Sequence, residues 1–203
     1  MYSSSSLNFL GLDSFQTSLE EARFVIIPIP YDSTVSNRPG SRRGPHSILT
    51  ASYNLELFDI ELEQESYTKG VFTLNEVEPV RGNVAETLEK IYEITKDIFQ
   101  RGKVPVLLGG EHTITLGAVE ALPKDTVVVD LDAHSDLRDS YQGDRLCHAS
   151  VMRRVLDQGK EIVEIGVRSM SMEEFQFAKE GNVSIFYRDA IRTRGLEELL
   201  KEI

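Results

Sequence analysis

The chain has a single cysteine, Cys147, among its 203 residues. No disulfide can form within it and no thiolate cluster can bind zinc, so a reducing, cytoplasmic compartment is expected. Cations are also scarce: 22 Lys and Arg face 33 Asp and Glu, a formal charge of -11. Such a surface repels phosphate backbones and anionic lipid, which argues against nucleic-acid and membrane partners, and it attracts metal ions, guanidines and amines. Long apolar runs are missing too. Nothing approaches the ~18 residues needed to span a bilayer, and Met1 to Leu10 has neither the basic end nor the apolar stretch of a secretory signal. With no internal repeat, low-complexity linker or interior boundary, residues 1–203 read as a single globular domain.

What the chain does contain is an alternation of short apolar runs with longer amphipathic ones. Arg23 to Ile29, Val104 to Leu108, Thr126 to Leu131, Glu161 to Val167 and Val183 to Tyr187 are β-branched and nearly continuous, the pattern of strands buried on both faces and paired in parallel. Between the first two, Val84, Leu88, Ile91, Thr95 and Ile98 recur at helical spacing, and the pattern stops near Arg101-Gly102. Further helices are expected over Leu116 to Ala121, Ala149 to Asp157, Glu173 to Lys179 and Leu196 to Ile203. Residues 31 to 45 read as a loop, punctuated by Pro39-Gly40 and Gly44-Pro45. Strand followed by helix, repeated, predicts an α/β fold of three layers, α/β/α, around a mainly parallel sheet, with ligands outside the carboxyl ends of the strands.

Three segments bear chemistry. Asp132-Ala133-His134-Ser135-Asp136 directly follows Val127 to Leu131; in extended chain, alternate side chains share a side, so Asp132, His134 and Asp136 should converge. Two carboxylates and an imidazole so placed call for a cation, and oxygen-rich donors with some imidazole suit manganese better than zinc. Gly109-Gly110-Glu111-His112-Thr113 follows another strand, its glycines permitting a turn or a close backbone approach and its histidine standing at the strand end. His148, after Cys147, precedes a predicted helix; imidazoles exchange protons near neutral pH, which suits a shuttle. Taken singly, each segment has a plainer reading: a strand-to-helix turn needs glycine anyway, Asp132 can cap a helix, Asp136 can be a solvated loop charge, and a histidine at a helix entry is usually structural. The acidic run Glu56 to Glu65 and Glu86, Glu89 and Glu93 read as solvated faces, and His46 as a surface or capping residue.

The residues Gly109-Gly-Glu-His-Thr and Asp132-Ala-His-Ser-Asp resemble the first two metal motifs of the ureohydrolase family of arginases and agmatinases. The loop Pro30-Tyr-Asp-Ser-Thr with Arg38-Pro-Gly-Ser-Arg-Arg-Gly-Pro, the segments Asp136-Leu-Arg-Asp and Cys147-His-Ala-Ser, and Ile165-Gly-Val-Arg-Ser are similar to its agmatinase branch. The resemblance runs from about residue 20 to 190. It implies an arginase-like fold and a centre of two Mn2+ ions, with His112 and Asp136 on one, His134 on the other, and Asp132 bridging both. It implies His148 as the acid/base. The activity implied is hydrolysis of agmatine to putrescine and urea, by a trimer or hexamer of the chain, in polyamine biosynthesis. Arginine, guanidinobutyrate or another guanidino substrate is the near alternative, and the arginines at 38, 42 and 43 keep carboxylate-bearing substrates open. The family's later Asp-x-Asp motif and its carboxyl-terminal glutamate have no counterpart before Ile203. The chain is therefore expected to be a fragment of a longer enzyme with an incomplete second metal site, or else a catalytically silent metal- or polyamine-binding relative. A sheet cut short would also bare an edge and an apolar face.

Overall fold

A computed structural model of the chain describes residues 2–12, 18–181, 183–199 and 201. These fall into two compact units, Met1–Ala121 and Leu122–Ile203, each described here by itself.

In the first unit the elements run β1 (Phe24–Ile29), α1 (Gly44–Ser52), β2 (Phe58–Asp59), β3 (Gln64–Glu65), β4 (Val71–Thr73), α2 (Val84–Gln100), β5 (Val104–Gly109) and α3 (Thr115–Glu120). A parallel sheet has the order β4-β1-β5, with β1 paired to β5 from Phe24↔Val104 to Ile29↔Gly109. Val25, Ile26, Ile27 and Ile29 are all buried, as a central strand covered on both faces requires. Pro28 is compatible with that place because its carbonyl faces the β4 side, accepting from Val77 N–H at 2.9 Å. The N–H that proline lacks would point the same way, beyond the end of β4 at Thr73.

Helix α2 begins where the Asn83 side chain accepts the Glu86 N–H at 3.1 Å. It buries Leu88, Ile91, Thr95 and Ile98 and ends at Arg101, with Gly102 at positive φ. Helix α3 lies close against it: a Cβ on Gly117 would stand 2.5 Å from the Leu88 carbonyl oxygen. Glu86, Glu89 and Glu93 are exposed, as are most of residues 56 to 65, where β2 and β3 form a small antiparallel ribbon. Residues 44–52 depart from the expected loop and are helical, Pro45 occupying the first turn where no N–H is needed. His46, inside that helix, is exposed as expected of a surface residue, with Nδ1 3.4 Å from the Thr50 hydroxyl.

The second unit contains β6 (Val127–Leu131), α4 (Val151–Asp157), β7 (Glu161–Val167), α5 (Met172–Glu180), β8 (Val183–Tyr187), α6 (Arg188–Arg194) and α7 (Leu196–Leu199). Its sheet is parallel, in the order β6-β7-β8. The expected helix from 196 onward is thus observed to Leu199, and residues 200, 202 and 203 lie outside the described residues. Among the described residues β6 pairs with β7 alone, and Val127, Val129 and Leu131 on one of its faces are 47%, 52% and 77% exposed. No described helix is long and apolar enough to cross a membrane.

Candidate metal centre

In the first unit His112 opens a short 3-10 turn, His112–Ile114, directly after β5. The turn is held by close backbone packing. Gly110 leaves no room for a side chain, because its Cβ would fall 1.8 Å from the Tyr31 carbonyl oxygen. Glu111 N–H donates to that same oxygen at 2.9 Å. The Glu111 carboxylate is buried and accepts three donors: Thr34 N–H at 2.6 Å, Thr34 Oγ1 at 2.6 Å and Thr113 Oγ1 at 2.9 Å. The loop after β1 is therefore fastened to the residue beside His112. A second buried carboxylate, Asp32, ties the same loop further along, accepting Gly40 N–H at 2.7 Å and Arg42 Nη1 at 3.2 Å.

In the second unit β6 ends at Leu131, so Asp132 to Asp136 lie beyond the strand. The alternation expected of an extended chain does not hold there, because Asp136 has φ +46, in the left-handed region. Asp132 and His134 do come together: Asp132 Oδ1 accepts the His134 N–H at 2.9 Å and lies 3.4 Å from His134 Nδ1. The His134 side chain is 64% exposed. Asp136 comes together with Asp132 as well, a carboxylate oxygen of each lying within 4.8 Å of the other, and its carbonyl accepts Met152 N–H at 3.1 Å and Arg153 N–H at 3.3 Å from the start of α4.

His148 begins the turn that leads into α4. Its ring meets Tyr141 edge to face, with centroids 5.9 Å apart. Tyr141 sits on a tight loop closed by paired backbone bonds with Asp144, and the loop is anchored to α4 through Asp139 and Arg154 at 2.8 Å.

Two acidic residues absent from the sequence reading stand beside this segment. Glu164 faces Asp130 across the β6–β7 register, is wholly buried, and has no hydrogen-bond partner among the described residues on either carboxylate oxygen. Burial first, and then the charges of Asp130, Asp136, Glu174 and Asp132, push its carboxyl from 4.5 up to about 9. The sequence signal was a lone charge inside Glu161 to Val167, a strand otherwise buried on both faces. Glu174, also buried, closes a capping box with Ser171 at the start of α5, and the Ser-x-x-Glu spacing was visible in the sequence. A divalent cation fits the carboxylates of Asp132 and Asp136, because two such groups within 4.8 Å of one another repel and positive charge relieves them.

A sequence profile of the arginase family matches residues 22–203. The chain is similar to the N(1)-aminopropylagmatine ureohydrolase of Thermus thermophilus, 36% identical over 192 residues that cover 92% of this chain and 66% of that protein. It is equally similar to the agmatinase of Bacillus anthracis, 36% identical over 191 residues, covering 92% and 65% of the two chains. Among solved structures it superimposes on the agmatine ureohydrolase of Thermoplasma volcanium with a TM-score of 0.89 and 36% identity, covering 98% of this chain and 67% of that one. The chain thus spans about two thirds of the length of these relatives.

Proposed function

Because the chain belongs to the arginase family, we propose that it serves a manganese-dependent hydrolase of guanidino groups, acting on agmatine to give putrescine and urea, and that both of its units belong to one ureohydrolase domain. The observation that carries the reading is the carboxylate-rich segment Asp132 to Asp136 just past β6, in which Asp132 and Asp136 bring carboxylate oxygens within 4.8 Å of one another. His112, Asp132, His134 and Asp136 are the side chains that would hold two ions. Bound there, manganese would supply a nucleophile at neutral pH by making water more acidic, and would orient it toward the guanidinium carbon.

The chain's own groups account for the rest. An acidic surface favours approach of a cationic substrate. Asp132 is steadied for its role by the His134 N–H it accepts. His148, whose ring meets Tyr141 edge to face, would hand a proton from an imidazole nitrogen to the departing amine. Relatives of equal identity named for agmatine and for its N(1)-aminopropyl derivative support a substrate with a guanidino group at one end and an amine at the other. A cytoplasmic location and assembly as a trimer or hexamer belong to the same reading, the former supported by the lone, buried Cys147.

The test is urea release by the 203-residue chain, with and without Mn2+, from agmatine, N(1)-aminopropylagmatine, arginine and guanidinobutyrate. Manganese-dependent release from agmatine establishes the activity, and preference for another substrate reassigns it. Manganese binding without release from any of them would make this chain a silent, metal-binding member of the family.

A further inference from the structure

Asp136 adopts a left-handed backbone that few non-glycine residues take, aspartate among the more tolerant, and it is bracketed by a residue far along the chain. Its φ of +46 lies where non-glycine residues are uncommon, a state that persists only if the surroundings over-determine it. Both of its neighbours are gripped by one oxygen: Glu174 Oε1 accepts the Ser135 hydroxyl at 3.1 Å and the Leu137 N–H at 3.1 Å. Ser135, Leu137 and Glu174 are all buried, so these bonds do not compete with water. On the far side, the Asp136 carbonyl is fixed by the first amides of α4. The other oxygen of Glu174 is occupied separately, accepting Ser171 N–H at 2.6 Å in the capping box of α5, with Arg138 Nε at 3.7 Å.

We infer that Glu174 is a positioning residue for the metal centre: it brackets Asp136 from both sides, fixes its left-handed backbone, and so sets where the Asp136 carboxylate points. The inference rests on Asp136 acting as a metal ligand. A carboxylate suits the task because its two oxygens serve two elements at once, the loop through Oε1 and the helix through Oε2. Glutamine has one acceptor oxygen and cannot satisfy both sets of donors. Outer-shell partners of this kind commonly change metal affinity by about 10- to 100-fold when removed.

The experiment compares Glu174→Ala, Glu174→Gln, Ser135→Ala and Ser171→Ala in the full chain, with Mn2+ alone as the ligand. Affinity is read from the free-ion EPR signal, and amide hydrogen exchange at Leu137 and Met152 is measured on metal-free protein. Ser171→Ala disturbs the helix cap and leaves the loop, so it controls for lost stability. Glu174→Ala is expected to weaken Mn2+ binding about tenfold or more and to speed exchange at Leu137, whereas Ser171→Ala changes neither by more than about twofold. Ser135→Ala removes one of the two loop bonds and should fall between them. Should Glu174→Ala not fold, Glu174→Gln gives the same comparison, since a loss of loop bonds accelerates Leu137 exchange. Equal affinity and equal Leu137 exchange in the Glu174 and Ser171 variants would overturn the inference. If the wild type itself binds no Mn2+, it is the metal reading that fails, and the exchange rates alone decide whether Glu174 holds the loop.

Discussion

The Thr34 hydroxyl lies 2.6 Å from Glu111 Oε2 and 3.0 Å from the Thr113 hydroxyl. Together with the Thr34 N–H bond to Oε1, this closes a clamp between the loop after β1 and the turn that carries His112. Thr34→Val keeps the shape and removes the hydroxyl, leaving buried Glu111 short of a donor. A stability loss of about 1–3 kcal/mol is expected, to be measured by urea denaturation. An unchanged midpoint would show that the clamp does not contribute.

Backbone crowding predicts a larger effect at Gly110. Any side chain there meets the backbone of Tyr31, oxygen, carbon and nitrogen alike, within 3.0 Å, and backbone cannot swing aside. Gly110→Ala should therefore unfold or misfold the first unit, seen as loss of soluble protein or a Tm lowered by many degrees. A variant that melts like the wild type would contradict the packing.

Asp136 permits a separation of backbone from carboxylate. Asp136→Gly and Asp136→Ala both delete the candidate ligand, but only glycine is at ease at φ +46. The alanine variant should be less stable than the glycine variant by about 1 kcal/mol, while both lose Mn2+ affinity. Equal stabilities would mean that the left-handed conformation is abandoned once the side chain is gone.

Ligand and proton shuttle should likewise separate. Asp132→Ala should abolish manganese binding, whereas His148→Ala should spare the metal and lower kcat by about 100-fold or more, as removal of a general acid does. Metal content by atomic emission and urea release measure the two. Wild-type manganese in the first variant would refute the bridging role, and undiminished turnover in the second would refute the shuttle.

Glu164 sets a pH dependence for the metal-free protein. Its carboxyl rises from 4.5 in the unfolded chain to about 9 in the fold, so the native state binds the proton more tightly. Stability is then full below 4.5 and declines as pH rises toward 9, by at most about 1.4 kcal/mol per pH unit. Glu164→Gln should flatten that slope in denaturation curves recorded between pH 5 and 9 with a chelator present. A slope that survives the substitution must come from other groups.

Strands β1, β5, β6, β7 and β8 and helix α2 were legible in the sequence as β-branched apolar runs and as one helical stripe, but the burial on both faces expected of the runs is not shared by β6, which leaves Val127, Val129 and Leu131 exposed. Helix α1 was not, since Gly44-Pro45 looks like a turn and only Pro45, Leu49 and Ser52 are buried. Strand β4, three residues long, is too short to show a period. At the candidate site, the motifs singled out His112, Asp132, His134 and Asp136 by kind and spacing, and the family resemblance singled out His148. The backbone of Asp136 was misjudged, because extended alternation was assumed past the end of β6, and φ is decided by hydrogen bonds to Glu174, Met152 and Arg153 that arise only once α4 and α5 are in place.

The double engagement of Glu174 also bears on how such a site could be moved. The segment Asp132 to Asp136 looks self-contained on paper, yet the shape of its last residue is held by the opening turns of two helices further along the chain. Grafted onto another strand end, the five residues would bring the donor atoms without their arrangement. A transplant would have to include the Ser171–Glu174 box and the start of α4 at Val151, which makes the portable unit the strand-loop-helix assembly rather than the motif.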